Sequence, residues 1–431
     1  MGPLPIVAWK AGYRIAAGAP TSRPLDLFLT TLPDHDNDDY AWIDPHPNAA
    51  QANNCGNCHG AIYDEWRRSG HAQSARNPRF LSMYDGRDHT AKPAPSWNLR
   101  REHPLGGGVC AACHAPTFSD TTLEYDMPRV QGVAAQGVHC DYCHKVADAP
   151  TDKLGTRFGR DGLVLLRPAR NDLLSFGPLD DAVRPGESFA YSPLYKESRY
   201  CASCHEGVVF GVHVYGTYSE WLASPARARG QQCQTCHMAP TGRLTNIAPG
   251  KGGIQRDPWT LASHSFPGGQ ADMLRRCLDV RIDVNANGAD TQVTVEVRAD
   301  NVGHRVPTGF IDRNLVLEVE AFTSDDRRLE LINGSRLPAS AGKRLAGQPG
   351  WLYAKQLHSP EGKSPIPFWL PHGDMTDTRL VPGHPDRRIF TFPSGVKRAR
   401  ARLWYRRFWQ DLADARGWMD NEVVVKERIR W

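Results

Sequence analysis

Ten cysteines and five histidines of this chain fall into five copies of one pentapeptide, C-x-x-C-H: Cys55, Cys58 and His59; Cys110, Cys113 and His114; Cys140, Cys143 and His144; Cys201, Cys204 and His205; Cys233, Cys236 and His237. Two thiols three positions apart, followed at once by an imidazole, can bond covalently to two porphyrin vinyl groups and set a proximal ligand under the iron. Each copy therefore predicts one haem c, five in all. Chance gives on the order of 0.01 such pentapeptides at this composition. Structural zinc also uses C-x-x-C half-sites, but zinc motifs seldom put His directly after the second Cys in every copy.

The ligand on the far side of each iron decides the chemistry. An iron with His on both sides passes electrons, and one with an open position can bind and transform a small molecule. Twelve histidines remain outside the motifs: His35, His46, His71, His89, His103, His139, His213, His264, His304, His358, His372 and His384. His71 is the leading distal candidate. It lies 12 residues beyond His59, about 18 Å along a continuous helix, so it must serve another haem. His264 sits in a Ser-His-Ser-Phe-Pro-Gly-Gly loop that would hold an imidazole rigidly, and His304 sits between two expected strands. His139, just before Cys140, and His213, beside an apolar run, complete the candidate ligands. These five, with the five proximal histidines, are the expected iron ligands.

Ten of the eleven cysteines are thus assigned, leaving Cys277, expected to be a small buried hydrophobe, and no disulfide framework. The net charge of +5 would fall to roughly 0 with five oxidised haems and roughly −5 with reduced ones, once propionates and iron are counted. No basic stripe or recognition motif points to nucleic acid as a partner. Haem is attached outside the cytoplasm, so the chain is expected to be exported, periplasmic or extracellular. Residues 1–20 hold only a short apolar run around Lys10 and Arg14, too short for a signal h-region. No stretch approaches the length of a membrane span.

Three regions must position the motifs. Residues 1–54 read as a Pro- and Asp-rich extension. Residues 55–275 hold every motif, on short helices joined by long loops, with one helix expected over Ala61–Ala75. From 276 to 431 the pattern switches to period two: Val293, Val295, Val297 and Ala299, then Leu315, Leu317, Val319 and Ala321. Further strands are expected at Ile389–Phe392, Lys397–Tyr405 and Glu422–Lys426. The fold class is α+β, a mainly helical, loop-rich haem domain followed by an antiparallel β-sandwich. Proximal histidines are 55, 30, 61 and 32 residues apart, an alternation that suggests paired haems. Tyr63-x-x-Trp66-x-x-Ser69 recurs as Tyr218-x-x-Trp221-x-x-Ser224, suggesting a duplicated unit.

The first motif with Tyr63, Trp66, Ser69 and His71, Cys110-Ala-Ala-Cys113-His114-Ala115-Pro116, Gly137-Val-His-Cys140-Asp-Tyr-Cys143-His144-Lys145, the Tyr218 repeat and Cys233-Gln-Thr-Cys236-His237-Met238 together resemble the cytochrome c-554 family. These are multihaem cytochromes related to the carrier that accepts electrons from hydroxylamine oxidoreductase. The His264 loop and His304-x-x-Pro307-Thr308-Gly309 are similar to segments of longer members that end in a β domain. The resemblance covers residues 55 to about 320. It implies an exported scaffold of stacked porphyrins, mostly bis-His iron, and electron transfer between redox-partner proteins. Relatives also include enzymes acting on small nitrogen species. There is no C-x-x-C-K motif, which disfavours a dedicated ammonia-forming nitrite reductase, and the haem number differs from the tetrahaem carrier's. An oxidoreductase with one open haem acting on a small nitrogen or sulfur species is the second expectation. A subunit of a cytochrome filament or surface conduit is the third.

Overall fold

The structure is a computed structural model that describes residues 5–20, 24–94, 96–104, 107–118, 127–152, 154–170, 172–184 and 186–431. By internal contacts the chain forms two compact units. One takes residues 1–81, 103–204 and 232–266; the other takes 82–102, 205–231 and 267–431.

The first unit is built from short elements. Helix Gly60–Trp66 starts directly at His59, whose carbonyl accepts from Tyr63 N. The sequence suggested a helix running on to Ala75. Instead the chain leaves the α-helix after Trp66, and only a 3-10 turn, Ser74–Arg76, follows. Ser69 and Gly70 account for the break, since serine competes for backbone bonds and glycine gains most from leaving a helix. Small strand pairs complete the unit. Ile6–Ala8 runs antiparallel to Ala16–Gly18, Val146–Asp148 antiparallel to Val164–Leu165, and Leu174–Gly177 parallel to Ser188–Tyr191. Its side-chain clusters are correspondingly small: Val146, Ala149 and Leu194 form one, and Leu174, Phe176 and Ala190 another.

The second unit contains the hairpin Glu206–Val209 with Val212–Gly216, the helices Thr217–Leu222 and Pro225–Ala228, and two antiparallel sheets. Their strands are β1 (Leu278–Asn287), β2 (Asp290–Ala299), β3 (Asn314–Phe322), β4 (Gly350–Leu357), β5 (Met375–Asp377), β6 (Asp386–Pro393), β7 (Arg398–Arg406) and β8 (Glu422–Arg430). The orders are β6-β2-β1 and β5-β4-β3-β7-β8. The α+β reading and the expected C-terminal strands are thus present. Period-two alternation sends Val293, Val295, Val297, Leu315, Leu317, Phe390, Phe392 and Leu403 into a single core where each is 0 % exposed. On its other face β3 is covered by arginines of β7. Arg400 pairs with Glu320 at 2.6 Å, Arg402 with Glu318 at 3.0 Å, and Arg398 lies 4.2 Å over the Phe322 ring. Long stems over aromatic and acidic partners let this face be buried without apolar side chains. Cys277 packs against the same core, and burial pushes its thiol up to about 11. No described helix is long and apolar enough to cross a membrane.

Candidate haem-binding sites

Each motif sits in a short helical element: the 3-10 turn Cys55–Asn57 and the helices Gly107–His114, Cys140–Cys143, Arg199–His205 and Cys233–His237. One helical turn brings residues i and i+3 onto the same side, so both thiols of a motif face one edge. His59 N and His144 N donate to the carbonyls of Cys55 and Cys140, which closes the turn and places the imidazole beneath it. Burial pushes the Cys110 and Cys143 thiols up to about 12, whereas a metal-ion cage is three or four ligands converging on one point. Among the described residues no three His, Cys, Asp or Glu side chains converge as such a cage would.

The proximal histidines fit haem in a second way. His59 Nδ1 lies 2.8 Å from the Ile247 carbonyl, His114 Nδ1 3.0 Å from that of Ser74, and His144 Nδ1 2.6 Å from that of Phe176. A neutral imidazole donating Nδ1–H to a carbonyl presents the Nε2 lone pair to a metal, in a ring orientation fixed in advance. Burial lowers the pKa of His114 and His144, which keeps them in that neutral form. Phe80 stacks on the His114 ring at 3.8 Å, locking it further.

Motif cysteines from distant parts of the sequence influence one another's ionisation: Cys55 acts on Cys140, Cys204 on Cys113 and on Cys143, and Cys233 on Cys201. Motifs one and three, two and four, three and four, and four and five are therefore near one another.

The candidate distal histidines separate into distinct environments. His71 is pushed down to about 4 by burial and then by His237 of the fifth motif, and its ring packs 4.4 Å from Phe266. His264 is likewise lowered to about 4, by burial and then by His144 and His59. Its backbone N–H donates to Glu65 at 2.7 Å, and its Nδ1 lies 3.2 Å from the Ala262 carbonyl. His304, in the loop between β2 and β3, has Nδ1 3.0 Å from the Arg305 carbonyl. His139 differs. It is 0 % exposed, its Nε2 pairs with Thr117 Oγ1 at 3.1 Å, and its Nδ1 accepts from Tyr142 N at 3.3 Å, capping the helix that carries motif three. His213 Nε2 is held by Glu206, and its backbone carbonyl accepts from the buried Lys355 ammonium.

Several contributors carried no sequence signal. The carbonyls of Ile247, Ser74 and Phe176 orient proximal rings, yet any residue type supplies a carbonyl. Glu65 pins the His264 loop through Ser263 Oγ and His264 N, but a lone acidic residue on a short helix reads as surface. Beside the first motif lies a cavity of about 160 Å³, lined by Cys58 and His59 with Arg184, Lys251 and Arg256. Arg184 Nη1 is 3.7 Å from Cys58 Sγ, and Arg256 pairs with Asp181 at 2.7 Å.

Five motifs, three of them with a proximal ring held by a backbone carbonyl, are what covalent attachment of several haems requires. Residues 54–145 match the family "Cytochrome c554 and c-prime". Its fold is similar to that of a penta-heme cytochrome c552 from Thermochromatium tepidum, with a TM-score of 0.62 and 22% identity, over 87% of this chain and 97% of that one. No curated protein matches the chain.

Proposed function

We propose that the chain is an exported pentahaem c-type cytochrome that relays electrons between redox-partner proteins. The observation that carries this reading is that five attachment motifs occur in one chain and that the His59, His114 and His144 rings are already held by backbone carbonyls with Nε2 left to face a metal. Bound haem would supply one-electron Fe(III)/Fe(II) cycling, tuned by axial ligand, burial and charge. His59, His114, His144, His205 and His237 would be proximal ligands. His71 and His264 would be distal ligands, each buried and near motif histidines, His237 for His71 and His144 and His59 for His264. His304 joins this set. His139 we read as a helix cap, since both ring nitrogens are taken by protein partners, and His213 as a hairpin brace held by Glu206. Residues 55–275 would form the haem domain after the 1–54 extension, and residues 276–431 a β-sandwich whose sheets share one core. Intact mass of the matured protein should exceed that of the polypeptide by five haems, and the spectrum should be dominated by low-spin ferric centres. A mass increment of fewer than five haems would overturn the count.

A second reading, an oxidoreductase with one open haem, is favoured by the cavity at motif one. Its lining has His59 as its single histidine among the described residues, and three cations. Those cations suit haem propionates or a small anion. Titrating the oxidised protein with nitrite, hydroxylamine or sulfite separates the two: a high-spin signal that shifts supports the enzyme, and an unchanged spectrum supports the carrier.

A further inference from the structure

Motif three carries two charges of its own: Asp141 lies between its cysteines, and Lys145 directly follows His144. Lysine and aspartate are seldom fully buried unless paired. Here the Lys145 and Asp141 side chains are 1 % and 3 % exposed, and Lys145 Nζ lies 2.5 Å from Asp141 Oδ1. The helix Cys140–Cys143, capped by His144, brings positions i and i+4 to the same side, which returns the ammonium to the carboxylate. The pair is closed over by residues 36–44 of the Pro- and Asp-rich extension. Asp141 Oδ2 accepts from Ile43 N at 2.9 Å, and Oδ1 also accepts from the Tyr40 hydroxyl at 3.4 Å. Lys145 Nζ lies 5.3 Å over the Tyr40 ring. Trp42 sets its ring 6.1 Å from that of Tyr142, and Arg167 lies 5.7 Å over Trp42 while pairing with Asp36 and Asp38. All of these residues belong to one compact unit.

Stability alone does not call for such a pair. Taking two ions out of water offsets most of their attraction, and an apolar pair of similar volume serves a fold as well. What the pair does supply is charge in a place from which water is excluded. Burial is the main cause that lowers the His144 pKa; among the charges that act after it, Lys145 lowers it and Asp141 raises it. Both charges are thus felt, with opposite sign, at the ring that would hold the third iron. Reduction of Fe(III) to Fe(II) removes one positive charge there, so a neighbouring cation favours it and a neighbouring anion opposes it, more strongly where the dielectric is low.

We infer that Asp141 and Lys145 set the potential of the third haem as a balanced couple, with Ile43 and Tyr40 of the N-terminal segment fixing the carboxylate in place. The inference rests on the pentahaem reading and deepens it by naming what tunes one centre. Redox titration of the full-length matured protein, followed optically and by paramagnetic resonance, tests it. Lys145→Met should lower the midpoint of one centre, and Asp141→Asn should raise that of the same centre. The double variant should return it to near the parent value, with five haems by mass and the other four midpoints in place. Opposite shifts that cancel are the signature of a local charge; a loosened fold admits water and moves both single variants the same way. If one single variant fails to mature, the other and the double variant still decide the sign. Five haems with midpoints that stay put, that move together in both single variants, or that remain displaced in the double variant overturn the inference. Failure of both single variants to mature, beside a double variant that matures, assigns the pair to folding and overturns it too. Fewer than five haems in the unsubstituted protein is the failure of the pentahaem reading instead.

Discussion

The two units bury themselves by different means. In the sheet unit, alternating side chains from β2, β3, β6 and β7 fill one core completely, with Val293, Leu315, Phe390 and Leu403 each 0 % exposed. In the unit that carries the ten motif cysteines, helices such as Gly60–Trp66 and Gly107–His114 are 7 and 8 residues long. Helices this short are not stable alone, and clusters such as Val146, Ala149 and Leu194 bury little area. The difference teaches that bound porphyrin faces would have to supply the missing core there, since apolar burial is the main favourable term in folding.

The strongest test of that contrast is the polypeptide made without haem attachment. Hydrogen exchange should be fast through residues 55–81 and 107–118, and slow in β2 and β3; equal protection in both would end the argument that cofactors replace side chains. Next in size, Phe390→Ala should cost about 3–5 kcal/mol in chemical denaturation of the sheet unit. The haem spectrum should be unchanged, because the residue lies in a core built of side chains alone.

A pH effect sharpens the comparison. Asp312 is 2 % exposed, accepts from Trp409 Nε1 at 2.9 Å, and has its Oδ2 unpaired. Burial raises its pKa to about 7 although the indole bond acts the other way. An unfolded aspartate ionises near pH ~4, so the folded state keeps the proton across the interval between. Its contribution is full below about pH 4, declines as pH rises to about 7, and is absent above, for a loss of about 4 kcal/mol. Asp312→Asn should therefore raise Tm relative to the parent at pH 8 and leave it equal at pH 4. A pH-independent difference would mean the carboxyl is not protonated in the fold.

The smallest effects compare the two copies of the Tyr-x-x-Trp-x-x-Ser repeat. Trp66→Phe and Trp221→Phe each remove one indole donor, from the Val138 and Gln231 carbonyls that precede motifs three and five, and each should cost about 1–2 kcal/mol. Similar values from the two would support the structural equivalence. A cost confined to Trp66 would show that only the first copy retains the arrangement.

The strands of the sheet unit were legible because burial of one face imposes a period of two on valines and leucines. The helix after the first motif was only half legible, since its apolar pattern continues past Ser69-Gly70 while the backbone does not. The candidate ligands divide in the same way. His71, expected to serve a haem other than that of its own motif, lies near His237, and His264, for which the sequence offered only a rigid loop, lies near His144 and His59. His139 has the same residue type in as promising a position, yet its nitrogens belong to Thr117 and Tyr142, and only three-dimensional neighbours distinguish a cap from a candidate ligand.

The amino-acid sequence by itself determined where haem can be attached, because covalent capture needs two thiols and an imidazole within one helical turn. It also determined the change from loop-rich to sheet structure, because hydrophobic period is local. Which motif neighbours which, which carbonyl orients each ring, and which segment closes over Asp141 were decided by the tertiary structure. Those contacts join residues tens to hundreds of positions apart, and a carbonyl or a close approach leaves no mark in the identity of the residue that makes it.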